Sequence, residues 1–394
     1  MNKRSTIINP LFCDDTEATI DTWKKLGATF TPSNTNRLII NGFCGKPQLP
    51  KEINVRESGT LLRFLLSAAG LGTGKLIISG QGTLLERCNS MVVEPLRKLG
   101  MEIEAENESY RLPITVHAKG KIKGGTIDVR GDQSSQIVSS LLIVAPLAKE
   151  DVKIQVKGKI VSKPYIDITI DVLEKSGIHV ERDGYKTFVI KQGQSFEPLD
   201  NYVIHGDYSS AAFLMAAACL VESDVVIRDL VRDKQGDQKI IDILRDMGAN
   251  ITRSDDSVRI RGPYELCGIE VNCCDIPDLV PVIASLAVFA KGRTRIYDIA
   301  HIRHKESDRI SSLAEEFAKL GVDVQSTRDE IIIRGSLPTH GEVLSHRDHR
   351  IAMALTLLGL KTEGLVIRDA DCISKSYHNF VQDMKNLGAN LGEG

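Results

Sequence analysis

Long apolar runs are missing from this sequence. No stretch approaches the ~18–20 consecutive apolar residues that a membrane-spanning helix needs. Met1–Asp15 carries no apolar signal core either, so neither a membrane nor export is expected. Charge of one sign is missing too. Lys and Arg number 50 against 52 Asp and Glu, a formal charge of −2. A chain so balanced has no global attraction for nucleic acid or an anionic membrane, and any anionic ligand must be held by basic residues gathered locally. Paired cysteines are also missing. Cys13, Cys44, Cys88, Cys219, Cys267, Cys273, Cys274 and Cys372 include no C-x-x-C pair. Such scattered cysteines read as reduced, mostly buried thiols of a cytoplasmic protein, with no metal expected.

What is present is repetition. The length, 394 residues, predicts two or three domains. One class of segment is an amphipathic helix closing on glycine: Ala18–Gly27, Met91–Gly100, Ile168–Gly177, Lys239–Gly248, Ser312–Gly321 and Asn379–Gly388. Apolar positions fall three and four apart, and the closing glycine suits a left-handed C-cap. The glycines recur every 67–77 residues, so a unit of about 70 residues appears six times.

A second class is apolar nearly all round and rich in small residues: Ser58–Gly70, Ser134–Ala148, Ser209–Leu220, Asp278–Ala290 and Asp348–Leu360. Such helices belong in a core. Each opens on Ser or Asp, which predicts an N-cap. Short alternating runs such as Lys75–Ile78, Thr126–Val129, Val152–Val156 and Glu330–Arg334 read as strands. The two classes do not balance, at six against five. The core helix that would precede Ala18–Gly27 falls before Met1, and only six residues follow Gly388 where strands are expected.

Polar groups gather where the core helices open, and a helix N-terminus is a natural seat for phosphate or carboxylate. Ser134-Ser135-Gln136 is one such opening, and Ser162-Lys163-Pro164-Tyr165 is another helix start. Taken alone, the first is better read as a simple cap, and the second is equally well read as a plain helix start. Arg63 inside an apolar helix and Arg350 at a helix start each need an acid or an anion beside them. The run Arg303–Arg309 (RHKESDR) places basic and acidic groups together ahead of an amphipathic helix.

These stretches resemble the 5-enolpyruvylshikimate-3-phosphate (EPSP) synthase family. The matching segments are RESGTLLRFL, ERCNSMVVEPLRKLG, SSQIVSSLLIVAPLA, VSKPYIDITIDVL, GDYSSAAFLMAAA, IPDLVPVIASLAVFAKG, RHKESDRI and RDHRIAMAL, in family order. The resemblance implies an α/β, two-lobed enolpyruvyl transferase fold. Its lobes are built from βαβαββ units with internal core helices and close over the substrates. Residues 1–203 would form a first lobe of two complete units and one truncated unit. Residues 204–394 would form a second lobe of three units that lacks closing strands. The implied reaction moves enolpyruvyl from phosphoenolpyruvate to the 5-hydroxyl of shikimate 3-phosphate, with no cofactor and no metal. It belongs to the shikimate pathway to chorismate and the aromatic amino acids, and the family is the target of glyphosate.

The resemblance also assigns residues. Ser134, Ser135, Gln136, Ser162 and Tyr165, with Asp278, His301 and Lys305, are expected to bind shikimate 3-phosphate. Gly59, Thr60, Arg87, Gln136, Arg309, Arg350 and Lys375 are expected to hold phosphoenolpyruvate, and Arg63 to be structural. Asp278, Glu306 and Lys305 are the expected catalytic groups. Histidine at 301 departs from the usual residue. So does Glu57, where many members have asparagine, and it would need Arg56 or Arg63 to neutralise it.

The larger departure is the family's N-terminal Lys-Ser…Arg loop and apolar helix, for which Met1–Pro10 has no counterpart. Lys3 and Arg4 stand too close to Asp14 and Asp15. The expectation is that a short complementing polypeptide supplies that segment. Two other readings stay open. One is the related transferase acting on UDP-N-acetylglucosamine, against which the S-K-P-Y segment speaks. The other is a non-catalytic binder of shikimate 3-phosphate.

Overall fold

A computed structural model describes residues 4–33 and 36–392. Lys3 lies outside the described residues. The chain divides into one unit ending at Ile204 and a second beginning at His205.

The first unit holds three sheets. The first contains β1 (Arg4–Ile8), β2 (Thr29–Ser33) and β3 (Arg37–Asn41), with α1 (Asp14–Lys25) between β1 and β2. The second contains β4 (Glu52–Asn54), β5 (Thr73–Ser79), β6 (Glu102–Ala105) and β7 (Ile114–Lys119), with α2 (Gly59–Ala69) and α3 (Ser90–Lys98) in the crossovers. The third contains β8 (Gly125–Arg130), β9 (Val152–Lys157), β10 (Glu181–Asp183) and β11 (Thr187–Ile190), with α4 (Gln136–Val144) and α5 (Lys163–Lys175). The last strand, β12 (Tyr202–Val203), returns to lie parallel to β1. The orders are β12-β1-β3-β2, β4-β5-β7-β6 and β8-β9-β11-β10. Each sheet therefore has a leading strand parallel to the next, and a closing hairpin whose second strand pairs antiparallel with it.

The second unit begins with α6 (Tyr208–Leu220), β13 (Val225–Arg228), α7 (Ile240–Asp246), β14 (Ile251–Arg253) and β15 (Ser257–Ile260). It continues with β16 (Glu270–Asn272), α8 (Val280–Phe289), β17 (Arg293–Tyr297), α9 (Arg309–Lys319), β18 (Asp323–Ser326) and β19 (Glu330–Arg334). It ends with β20 (Gly341–Leu344), α10 (His349–Gly359), β21 (Leu365–Arg368) and α11 (Phe380–Asn386). Its sheets are unequal: β16-β17-β19-β18 has four strands, β13-β15-β14 three and β20-β21 two.

The two helix classes occupy different places. The apolar helices α6, α8 and α10 pack on one another in the second unit, whereas α2 and α4 are the corresponding pair among the described residues of the first. Leu61, Leu62, Leu65 and Leu66 of α2 and Val282, Ile283 and Leu286 of α8 are at most 2% exposed. Burying each such side chain contributes roughly 1.5–3 kcal/mol. The six closing glycines, Gly27, Gly100, Gly177, Gly248, Gly321 and Gly388, all take φ between 75° and 105°. That is the left-handed conformation that ends a helix without steric cost.

The cap assignments need correction. Ser58 and Asp348 do cap their helices, accepting from the backbone N–H of Leu61 and Arg350. The cap of α6 is Asp207, not Ser209, because its carboxylate accepts from both Ser209 and Ser210. Asp278 lies in a short 3-10 turn, Pro277–Leu279, and turns its carboxylate to cations instead. The thiols are not mostly buried. Cys13, Cys219, Cys273 and Cys274 are, but Cys44, Cys88 and Cys267 are exposed and Cys372 is partly so. No helix among the described residues is long and apolar enough to cross a membrane.

Candidate active site

In the first unit the predicted residues collect at the openings of α2, α4 and α5. Gly59 is the first residue of α2, and its lack of a side chain matters. A Cβ there would sit 2.9 Å from Arg87 Nη1 and 3.1 Å from Arg63 Nη1. Gly59 thus lets two guanidinium groups approach one helix N-terminus. Arg63 donates to the Gln136 side-chain oxygen and to the Gly59 carbonyl, the latter at 3.3 Å. The Gln136 amide nitrogen in turn donates to Thr60 Oγ1 at 2.8 Å, so one amide ties α4 to α2. Arg87 donates to Thr83 at 3.4 Å. Ser134 accepts from the Gln136 N–H at 3.3 Å, and Ser135 is buried. Ser162 is buried at the opening of α5 with φ 56° and ψ 41°, a left-handed conformation that costs a serine about 1–3 kcal/mol. Its carbonyl accepts from Tyr165 N–H at 3.2 Å. Glu57 lies over Gly82, where a Cβ would stand 2.0 Å from its carboxylate. Arg56, expected as a neutralising partner for Glu57, is turned to Asp21 at 2.7 Å and Glu17 at 3.9 Å.

The second unit gathers a denser cluster. Arg309, the first residue of α9, is 1% exposed and spreads its guanidinium over three carboxylates. It reaches Asp278 at 2.9 Å, Glu306 at 3.0 Å and Asp348 at 2.8 and 3.2 Å. Asp278 is approached by two further cations, Arg350 at 3.3 Å and Lys305 at 3.9 Å. Lys375 stands 3.4 Å from Glu306. His301 is buried in the 3-10 turn Ala300–His304.

The electrostatics follow from this packing. Burial pushes the Asp278 carboxyl up, but Arg350, Lys305 and Arg309 outweigh it and hold the group well below the usual carboxylate range. Asp348 is lowered the same way, burial opposing and Arg309 prevailing. Lys305 is lowered by burial, with Asp278 offsetting part of the shift.

Two participants escaped the sequence reading. Asp348 was legible as a helix cap. Its grip on Arg309, 39 residues earlier, is a tertiary contact that local spacing does not carry. Asp237, in the 3-10 turn Gly236–Lys239, is 1% exposed. Burial, and then the nearby Asp278 charge, push its carboxyl up to about 7. The described residues hold one other carboxylate–histidine group, Glu315, Glu316 and His346. Its central Glu316 already accepts from Lys319, His346 and the Leu344 N–H.

Residues 1–384 match the family model described as EPSP synthase (3-phosphoshikimate 1-carboxyvinyltransferase). The chain belongs to the EPSP synthase family. The 3-phosphoshikimate 1-carboxyvinyltransferase of Methanocaldococcus jannaschii is 40% identical over 98% of this chain and 90% of its own length. That of Methanosarcina mazei is 39% identical over 100% of this chain and 92% of its own. Among solved structures, an EPSP synthase from Acinetobacter baumannii superposes with a TM-score of 0.80. It covers 99% of this chain and 91% of the other, at 25% identity. The α/β enolpyruvyl transferase fold is therefore this chain's fold.

Proposed function

We propose that this chain transfers enolpyruvyl from phosphoenolpyruvate to the 5-hydroxyl of shikimate 3-phosphate in the cytoplasm, with a second, short polypeptide completing its site. Asp278 carries the reading. It is a carboxylate ringed by Lys305, Arg309 and Arg350, with Glu306 tied to Lys375 alongside. Each substrate bears a carboxylate and a phosphate, and converging cations offset that charge. The two structural units are, in this reading, the two lobes of the family.

The division of labour is by unit. In the first, Ser134, Ser135, Gln136, Ser162 and Tyr165 hold shikimate 3-phosphate, while Gly59, Thr60 and Arg87 hold phosphoenolpyruvate. In the second, Asp278, His301 and Lys305 take the former, and Arg309, Arg350 and Lys375 the latter. The 5-hydroxyl oxygen bonds to C2 of phosphoenolpyruvate and passes its proton to Lys305 in its neutral form, while C3 gains a proton from Glu306. The resulting ketal expels phosphate, which takes the proton from Lys305, as C3 returns a proton to Glu306. A carboxylate as acidic as Asp278 is a poor proton store, so it orients the hydroxyl. Lys305, lowered by burial, is the better-matched proton carrier.

The test is phosphate release by the purified chain from the two substrates, with and without a peptide of roughly 35–45 residues carrying a Lys-Ser…Arg loop and an apolar helix. Turnover that needs the peptide and falls at least ~10³-fold in Asp278→Ala is the expected result. Full turnover by the chain alone would remove the second polypeptide. Calorimetric binding of shikimate 3-phosphate without turnover, peptide present, would leave only a binder.

A further inference from the structure

One buried carboxylate stands apart from the reacting groups. Glu316, on α9, is 0% exposed. Counted back five residues from the closing glycine, it falls where the other amphipathic helices carry Thr22, Pro95, Val172, Ile243 and Asp383. Asp383, the one other acid, is only half-buried. Packing of this helix class therefore does not call for a carboxylate there, and a buried charge is costly unless its partners offset it.

Two of its partners lie on the loop that leads into α10. The Glu316 carboxylate accepts from the Leu344 N–H at 3.0 Å and from His346 Nε2 at 2.6 Å, and on its own helix from Lys319 at 2.8 Å. Burial raises its carboxyl, but Lys319, the Leu344 N–H and His346 prevail and hold it below its ordinary value. Glu316 is thus ionised, and His346 Nε2 carries the hydrogen between them. Arg309 lies two turns earlier on the same face of α9 and grips Asp348, which closes the same loop. α9 thereby holds the loop at both ends.

Between the two grips the backbone is strained. His346 and Arg347 have φ of 52° and 54°, and among the described residues no other two neighbouring non-glycine residues both take positive φ. Such conformations persist where the surroundings fix them. The loop before α2 serves as a control. It runs the same length, from Asn54 at the end of β4 to the cap Ser58, with the left-handed Arg56 at the place of His346. Glu57, at the place of Arg347, is not left-handed, and Pro95, at the place of Glu316, offers no carboxylate. The second left-handed residue and the buried carboxylate occur together.

We propose that Glu316 is a positioning residue: through Leu344 and His346 it fixes the strained loop so that Asp348 meets Arg309, and Arg350 enters α10 facing Asp278. The proposal rests on the reading of Arg309 and Arg350 as cations that hold phosphoenolpyruvate.

The test uses the full chain, with the complementing peptide present in turnover assays. Glu316→Gln keeps the size and an acceptor but loses the charge. His346→Ala removes the donor, and His346→Gln restores one. In Glu316→Gln and His346→Ala, KM for phosphoenolpyruvate rises about tenfold, while kcat and KM for shikimate 3-phosphate stay within about twofold. His346→Gln recovers most of the loss. Lys319→Met, which removes the partner outside the loop, lowers stability to urea and leaves KM unmoved. A second readout needs no substrate. The Arg309 Nε–H donates to Asp348 at 2.8 Å, and its exchange with water is followed by NMR on arginine-labelled chain. Exchange speeds about tenfold or more in Glu316→Gln and His346→Ala, and in neither of the other two variants. Faster exchange with KM for phosphoenolpyruvate unmoved, or with no wild-type turnover, supports the positioning of Asp348 and removes the reading of Arg309 as that substrate's cation. Exchange at the wild-type rate overturns the proposal whatever happens to turnover. Faster exchange in all four variants is general loosening and overturns it too. His346 is partly exposed, so His346→Ala decides the matter where Glu316→Gln fails to fold.

Discussion

Among the described residues the two units differ in opposite ways. The first has three four-stranded sheets around two apolar core helices. The second has three such helices packed together, but sheets of four, three and two strands. In the first unit one sheet is less deeply buried than the others. Ile7, Ile8, Ile39 and Ile40 of β1 and β3 remain half-exposed and lie outside the main cluster of buried side chains. In the second, strands β13 and β21, with sequences VVIR and LVIR, share one pattern of half-burial.

The largest effect that tests this contrast is in the charge cluster of the second unit. Arg309→Met would leave Asp278, Glu306 and Asp348 sharing one buried space. A loss of about 3–5 kcal/mol in urea unfolding of the second unit is expected. A loss under about 1 kcal/mol would mean that the cluster is not a structural hub.

Next comes His349, which burial lowers to about 4 from an ordinary value near 6.5. A histidine depressed in the folded state stays neutral there while its unfolded form takes up a proton. Its contribution to stability therefore falls as pH drops from 6.5 towards 4 and levels off below. The change is up to about 3 kcal/mol and should vanish in His349→Gln. Asp237, raised to about 7, runs the other way and destabilises the fold as pH rises from about 4 to 7. Unfolding of His349→Gln and of Asp237→Asn between pH 4 and 8 separates the two.

The smallest difference, that between two truncations, sharpens the comparison of sheets. Ile296→Ala in the closed sheet should cost about 2–5 kcal/mol. Ile367→Ala in the two-stranded sheet should cost about half that or less, because its side chain is still partly in water. Equal losses would show that the two side chains are equally buried in solution.

Much of this was legible from residue order. The closing glycines marked six helix ends because a left-handed C-cap is a local requirement, and all six have positive φ. The count of six amphipathic helices against five apolar ones foretold the imbalance, since apolarity all round a helix is itself a burial signal. The sequence could not say which acid meets which base. Arg309 and Asp348 are far apart in the chain, and Asp237 gave no sign because a lone acid in a polar turn looks like solvated surface. Caps failed where a nearer competitor existed, as Asp207 displaced Ser209. The site remained readable as a set of positively charged openings, but not as the web of carboxylates that holds those charges apart.

β12 adds a matter of timing. The strand beside β1 is Tyr202–Val203, so the first sheet cannot gain its fourth member until half the protein has been made. At translation speeds of about 5–20 residues per second, that is a wait of roughly 10–40 s. Throughout it, the earliest strands leave the ribosome with one flank bare, and a chaperone has a reason to bind there first.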